Sequence, residues 1–320
     1  MALLSVHNLS VAIGSVSPLD GIGFTLEKGE VLGLVGESGS GKSLTATTVM
    51  GLLPRLGGRV TQGAIHFDGH DLTQLPERAY RRLRGRRIAL ISQNPMTSLD
   101  PILPIGPQVE QPARLHLGLS ESAARDRAIG LMEQLRIPEA ATVYRQYPHQ
   151  LSGGMKQRIV IAMALMADPD LIIADEPTTA LDVTIQAQIV QILADLVADR
   201  GLALLLITHD MGVVAQICDR VTVLYAGRVA ESAPVRAIFA APQHPYTRAL
   251  IGCIPQENQP RGSLRGIPGT VPGVKDYPSG CRFHPRCAIA GPICQTEVPP
   301  RLLSERAEIA CWKPGEMPHV

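Results

Sequence analysis

The stretch EVLGLVGESGSGKS at 30–43 constrains this chain more than any other. Its apolar half reads as a buried strand, and its second half matches G-x-x-x-x-G-K-[ST] at a strand-to-helix junction. Glycines let backbone N–H groups crowd an anion, and the N-terminus of the following helix favours negative charge. The expected cradle is Gly36, Glu37, Ser38, Gly39, Ser40, Gly41, Lys42, Ser43 and Leu44, with the amides of Ser38 to Ser43 wrapping phosphates. Lys42 is expected to reach the β- and γ-oxygens of a bound triphosphate, and the Ser43 hydroxyl to ligate Mg²⁺. The helix should run from about Ser43 to Leu53, where PRLGG stops it.

A second motif supplies carboxylates. LIIADEP at 171–177 is a strand of apolar residues ending in Asp175 and Glu176. Ligands of open α/β sheets bind at such C-terminal strand tips. Asp175 is expected to hold Mg²⁺ through water, and Glu176 to orient or deprotonate an attacking water. Gln93 follows the apolar strand IALIS (88–92), and His209 ends the strand ALLLIT (203–208). Gln93 is placed to touch Mg²⁺ and the water, and His209 to contact the γ-phosphate and hold Glu176 in register.

LSGGMKQR at 151–158 is a further Ser-Gly-Gly helix start, although the first loop already cradles one triphosphate. Head-to-tail pairing of two subunits gives it a task. Ser152, Gly153 and Gly154 of one subunit would then cap the γ-phosphate held by the other. TTALDV (178–183) would cross the same interface, with Asp182 linking the two sites.

Apolar strands alternating with helices predict an α/β fold with a mostly parallel sheet. The alternating pattern of the first 30 residues predicts antiparallel strands. Residues from about 95 to 165 turn helical and are expected to form an inserted lobe. Ile185, Ile189, Ile192, Leu193 and Leu196 mark a later helix that Gly201 ends. After about residue 232 Pro and Gly become dense, which predicts a short tail domain held by cysteines more than by a core.

The bulk numbers exclude other classes. Formal net charge is +1 in 320 residues, so no global field points to nucleic acid. The local run RRLRGRR (81–87) reads first as a solvated face. No apolar run approaches the ~20 residues of a membrane helix, and the N-terminus is a poor signal peptide. A cytosolic protein is expected, with any membrane role reached through a partner.

Taken together, GESGSGKS, Gln93, LSGGMKQR, LIIADEP, ALD and His209 resemble the ATP-binding subunit of ABC transporters, over residues 1–230, within an ATPase domain expected at 1–232. SQNPMTSLDP (92–101), VLYAGRVAE (223–231), HPYTRALIGCIP (244–255) and PSGCRFHPRC (278–287) resemble the oligopeptide/dipeptide/nickel importer group, and its first ATPase subunit in particular. The resemblance implies a P-loop NTPase of RecA-like parallel sheet, an antiparallel β subdomain and a helical signature lobe, followed by a C-terminal domain at 233–320. It implies a second homologous ATPase subunit, two transmembrane permease subunits and an extracytoplasmic binding protein, with no nucleic acid. The chain would then sit at the cytoplasmic face of the membrane. Peptides are the first cargo expected; nickel, a metal chelate or a sugar are alternatives. A soluble ABC ATPase acting on ribosomes or DNA is the competing class.

Two departures stand out. Met155 replaces the usual Gln, and Ile13 stands where the family stacks an aromatic on adenine. Weak base discrimination is the expected consequence.

Cys281, Cys287, Cys294 and Cys311 lack the short C-x₂-C spacing of zinc ribbons. Four thiolates suit zinc or a four-iron cluster, with His284 as a stray ligand; reduced thiols holding nothing are the alternative. The resemblance favours the iron–sulfur centre, which some members of the group carry.

Overall fold

The computed structural model describes residues 2–179, 181–255, 266–304 and 307–316. In chain order it begins with strands β1 (Leu4–Ile13), β2 (Val16–Leu26) and β3 (Val31–Val35), then helix α1 (Lys42–Val49). Strands β4 (Gly58–Phe67) and β5 (His70–Asp71), helix α2 (Glu77–Leu83) and strand β6 (Ile88–Ile91) follow. The helical stretch holds α3 (Pro95–Ser98), α4 (Ile105–Leu117), α5 (Glu121–Gln134), α6 (Ala140–Val143) and α7 (Gly153–Leu165). Next come β7 (Leu171–Asp175), α8 (Val183–Arg200), β8 (Ala203–Thr208), α9 (Met211–Ile217), β9 (Arg220–Tyr225) and β10 (Arg228–Pro234). The tail carries α10 (Val235–Ala240), α11 (Pro245–Gly252), α12 (Pro292–Thr296), β11 (Arg301–Leu303) and β12 (Glu308–Ala310).

The chain forms two compact units. The first gathers residues 1–27, 31–74 and 207–320. Its antiparallel sheet runs β2-β1-β4-β5, as the alternation of the first strands predicts. Its other strands run β11-β12-β10-β9-β3, with β3 and β9 parallel and the rest antiparallel. β3 is buried at every position, which fits its continuous apolar run.

In this unit α1 stops at Val49, short of the expected Leu53. Gly51 takes a left-handed φ of 63°, and a 3-10 turn at Leu53–Leu56 follows. The tail differs more from expectation. β12 pairs with β10, Glu231 opposite Ile309 and Ser232 opposite Glu308, so it extends the strand order of the nucleotide-loop body. Aromatic packing joins it there: Phe283 lies edge-on to Tyr225 at 5.1 Å and against Tyr246 at 5.3 Å. Asp20 pairs with Arg228 at 2.7 Å and with Arg282 at 2.8 Å.

The second unit gathers residues 28–30 and 75–206. It holds the strand order β8-β7-β6, with β6 and β7 parallel; the last two residues of β8 are counted with the first unit. The helical segment expected at 95–165 is present as α3 to α7. Helix α8 buries Ile189, Ile192, Leu193 and Leu196 and ends at Gly201, φ 61°, as the stripe predicts. The basic run at 81–87 is largely spent within the unit. Arg81 and Arg84 pair with Glu77, Arg86 donates to the Ala167 carbonyl at 2.7 Å, and Arg87 pairs with Asp170.

Candidate functional site: a phosphate loop and a carboxylate strand tip

In the first unit the loop between β3 and α1 is shaped around its glycines. Gly36 has φ 151°, and a Cβ there would lie 2.2 Å from the Leu224 carbonyl oxygen. Gly41 has φ 105°, and a Cβ would meet Leu19 at 2.6 Å. No side chain fits either place. Lys42 is buried and folds back over the loop, its Nζ donating to Gly36 O at 2.7 Å and Glu37 O at 3.0 Å. The ammonium is thus held at the loop by carbonyls. Ser40 N donates to Glu37 O at 3.2 Å, and Ser40 O accepts from Gly227 N at 2.9 Å. Ser40 Oγ is buried and has no hydrogen-bond partner among the described residues. Ser38, Gly39 and Ser43 are exposed, and Leu44 half-buried. A cradle closed to side chains, a gathered ammonium and an orphaned hydroxyl fit the phosphates of ATP. His209 follows β8 and is exposed, just before Asp210, which caps α9.

In the second unit Asp175 ends β7 and Glu176 follows it, both half-buried. Glu176 adopts φ 48°, a left-handed conformation that costs a non-glycine residue on the order of 1 kcal/mol. Its Oε2 accepts from Gln93 Nε2 at 2.8 Å and from Thr179 Oγ1 at 2.9 Å. The structure brings Gln93 and Glu176 together from the tips of β6 and β7, a contact the sequence reading did not name. Thr179 was not legible as a partner, although it lies in the TTALDV stretch.

The signature segment builds two helix starts in the same unit. Ser152 caps α7, its Oγ accepting from Met155 N at 3.3 Å. Asp182 caps α8, its Oδ1 accepting from Ile185 N at 2.9 Å. Gly154 is buried, and a Cβ there would stand 2.7 Å from Ile185 Cγ2. Gly153 is exposed, and its Cβ would meet only Leu181, at an ordinary 3.6 Å. Packing inside the chain requires a glycine at 154 and not at 153. Ala180, between Thr179 and Leu181, lies outside the described residues.

Cys281, Cys287, Cys294 and Cys311 line one cavity of about 20 Å³ with Phe283, Ile289 and Trp312. That is room for roughly one water. Burial pushes the Cys281 thiol up to about 11, and raises Cys287 and Cys311 as well. Among the described residues no group of three or more His, Cys, Asp or Glu is placed to hold a metal ion. The arrangement lends no support to the expected iron–sulfur or zinc centre, nor to His284 as a further ligand. His284 instead turns its Nδ1 to the Cys281 carbonyl oxygen at 2.9 Å.

Two tail residues touch the phosphate loop, and motif reasoning passes over both. Arg286 pairs with Glu37, and Tyr246 receives the Glu37 amide. Nothing in the composition of HPYTRALIGCIP or PSGCRFHPRC marks them as partners of residue 37.

A glycine phosphate loop between strand and helix, with a strand tip ending in Asp-Glu, defines a P-loop ATPase cassette. The family model described as "ABC transporter" matches residues 19–179, and that of "Oligopeptide/dipeptide transporter, C-terminal region" matches residues 230–294. The chain is 46% identical over 319 residues to the dipeptide transport ATP-binding protein DppD of Escherichia coli K12, covering 98% of this chain and 97% of that one. It is 44% identical over 321 residues to the oligopeptide transport ATP-binding protein OppD of Salmonella typhimurium, covering 98% and 94%. The dimeric post-hydrolysis structure of the ATP-binding cassette MJ0796, bound to ADP and Pi, aligns at TM-score 0.65 and 28% identity over 73% of this chain and 99% of that one. The chain belongs to the ABC transporter family, as one of its ATP-hydrolysing subunits.

Proposed function

We propose that this chain powers import of dipeptides or oligopeptides across the cytoplasmic membrane, as a peripheral subunit beneath two permease subunits. The observation that carries the reading is the near full-length likeness to peptide-transport ATPases, extending through the tail at 230–294. Among the described residues no helix is long and apolar enough to cross a membrane, so attachment rests on partners. Exposed Ile102, Leu103 and Tyr147, beside an open groove lined by Pro101, Thr142 and His149, offer an apolar patch for a permease segment.

In this reading the amides of Ser38 to Ser43 and the Lys42 ammonium bind the phosphates, displacing the Lys42 contacts to Gly36 and Glu37. Ser43, Asp175 and Gln93 would hold Mg²⁺, which when bound neutralises charge on the phosphate oxygens. Glu176, fixed by Gln93 and Thr179, accepts the proton of the attacking water, and His209 contacts the γ-phosphate. Ser152, Gly153 and Gly154 serve the nucleotide of a second ATPase subunit, with Asp182 on the shared face. The dimeric state of MJ0796, the exposed Gly153 and the 83% exposed Val183 support that pairing. Residues 1–232 act as the ATPase domain and 233–320 as the appended C-terminal region.

The test is reconstitution. The chain is expressed with its cognate permease subunits, second ATPase and binding protein in proteoliposomes. Peptide-loaded binding protein should stimulate ATP hydrolysis several-fold and drive peptide uptake. Stimulation by a nickel chelate or a sugar alone would reassign the cargo. Copurification with nucleic acid and no permease would overturn the transport reading.

A further inference from the structure

Glu37 is the one carboxylate in the phosphate loop GESGSGKS. A carboxylate so close to a bound triphosphate opposes it, because like charges disfavour one another at short range. The structure shows what balances this charge. Arg286, from the 3-10 turn His284–Arg286, grips Glu37 with both prongs, Nη1 to Oε2 at 2.8 Å and Nη2 to Oε1 at 2.9 Å. The Arg286 side chain is 6% exposed and that of Glu37 29%. Arg286 is itself anchored: its Nε donates to Pro268 O at 2.8 Å and Nη2 to Ile267 O at 3.2 Å. Two-pronged pairing fixes the carboxylate's direction as well as its charge.

A second tie acts on the backbone. Glu37 N donates to Tyr246 Oη at 2.8 Å. Tyr246 is wholly buried, with Tyr225 edge-on at 4.7 Å and Phe283 tilted at 5.3 Å. In a trans peptide the N–H and C=O point in opposite directions. The peptide joining Gly36 to Glu37 therefore turns its N–H to Tyr246 and its carbonyl to Lys42 Nζ, at 2.7 Å. One tail hydroxyl thus sets the carbonyl that holds the phosphate-binding ammonium.

We propose that Arg286 and Tyr246 are positioning residues of the nucleotide site: the tail cancels the charge of Glu37 and orients the 36–37 peptide, so ATP affinity is set from residues far outside the loop. The proposal rests on ATP as the ligand. It makes the tail a working part of the phosphate cradle.

The experiment titrates the full chain with ADP and a non-hydrolysable ATP analogue, and follows KM and kcat for ATP. Arg286→Ala should weaken ATP-analogue binding about tenfold, the scale of one uncompensated neighbouring charge, and ADP binding less, with kcat little changed. Arg286→Lys, which keeps the charge without the fork, should fall between. Adding Glu37→Gln to Arg286→Ala removes the stranded charge and should restore much of the affinity. Tyr246→Phe keeps the ring and should still weaken binding. A role in folding alone would lower the active fraction, with kcat reduced, KM unchanged and no rescue; that pattern overturns the proposal, as does unchanged affinity in folded Arg286→Ala or Arg286→Lys. A wild-type chain that binds neither nucleotide would overturn the ATP assignment itself, and is told apart from those results by the wild-type titration.

Discussion

Gln93 Nε2 and Glu176 Oε2 are hydrogen-bonded at 2.8 Å, and Glu176 holds a left-handed backbone. The carboxylate is oriented from a neighbouring strand tip and by Thr179. Orientation of this kind lowers the reorganisation needed at the moment of reaction.

The first prediction follows from that arrangement. Glu176→Gln should keep the hydrogen-bonding shape and lose the base. ATP binding should persist while hydrolysis falls about 100- to 10,000-fold. Steady-state phosphate release beside nucleotide titration checks it. Normal turnover would remove Glu176 from the proton-accepting role.

Adjacent glycines of the signature segment should separate packing from ligand contact. Gly154→Ala drives a methyl against Ile185, 2.7 Å away, and should cost about 1–3 kcal/mol of stability. Gly153→Ala meets only Leu181 at contact distance and should leave the melting temperature near wild type while lowering ATPase activity of the assembled pair. Thermal unfolding and phosphate release, measured on both variants, test the contrast. A destabilised Gly153→Ala beside a stable Gly154→Ala would contradict the packing described.

His244 supplies a pH prediction. Burial holds its imidazole down at about 4, and its Nδ1 accepts the Tyr246 amide at 3.0 Å. The folded chain therefore keeps it neutral, whereas the unfolded chain takes up a proton near pH 6.5. The unfolded state binds more protons between those values, so stability is full above about pH 6.5, falls on acidification and levels off below about 4. The loss from this one group is about 3 kcal/mol. His244→Asn keeps a cap acceptor and should flatten the slope at some cost in stability. Urea unfolding at several pH values distinguishes the two; equal slopes would remove His244 as the cause.

Much of this was legible in the sequence, and the reason is local. The boundaries of β8 and the stripe of α8 follow from runs and periods confined to one element. The meeting of Gln93 with Glu176 was not named, although strand tips in one parallel register gather at one edge. Strand β4 was not foreseen, since Gly58 and Gly63 break its alternation. The hold of the tail on Glu37 was also invisible. It joins positions 209 and 249 residues apart, and no pattern in either segment encodes such a meeting. The cysteine spacing left its role open, and the structure gathers the four thiols around a space of about 20 Å³.

The discontinuous makeup of the first unit bears on how the chain is made. The second unit is nearly contiguous, at 75–206, and can be completed while synthesis is still under way. The phosphate loop belongs to the other unit, and its Glu37 waits for an arginine 249 positions later. A ribosome must release the chain through residue 286 before that loop acquires this anchor. Messages truncated before residue 286 therefore yield a loop that lacks its counter-charge, however complete the motif itself.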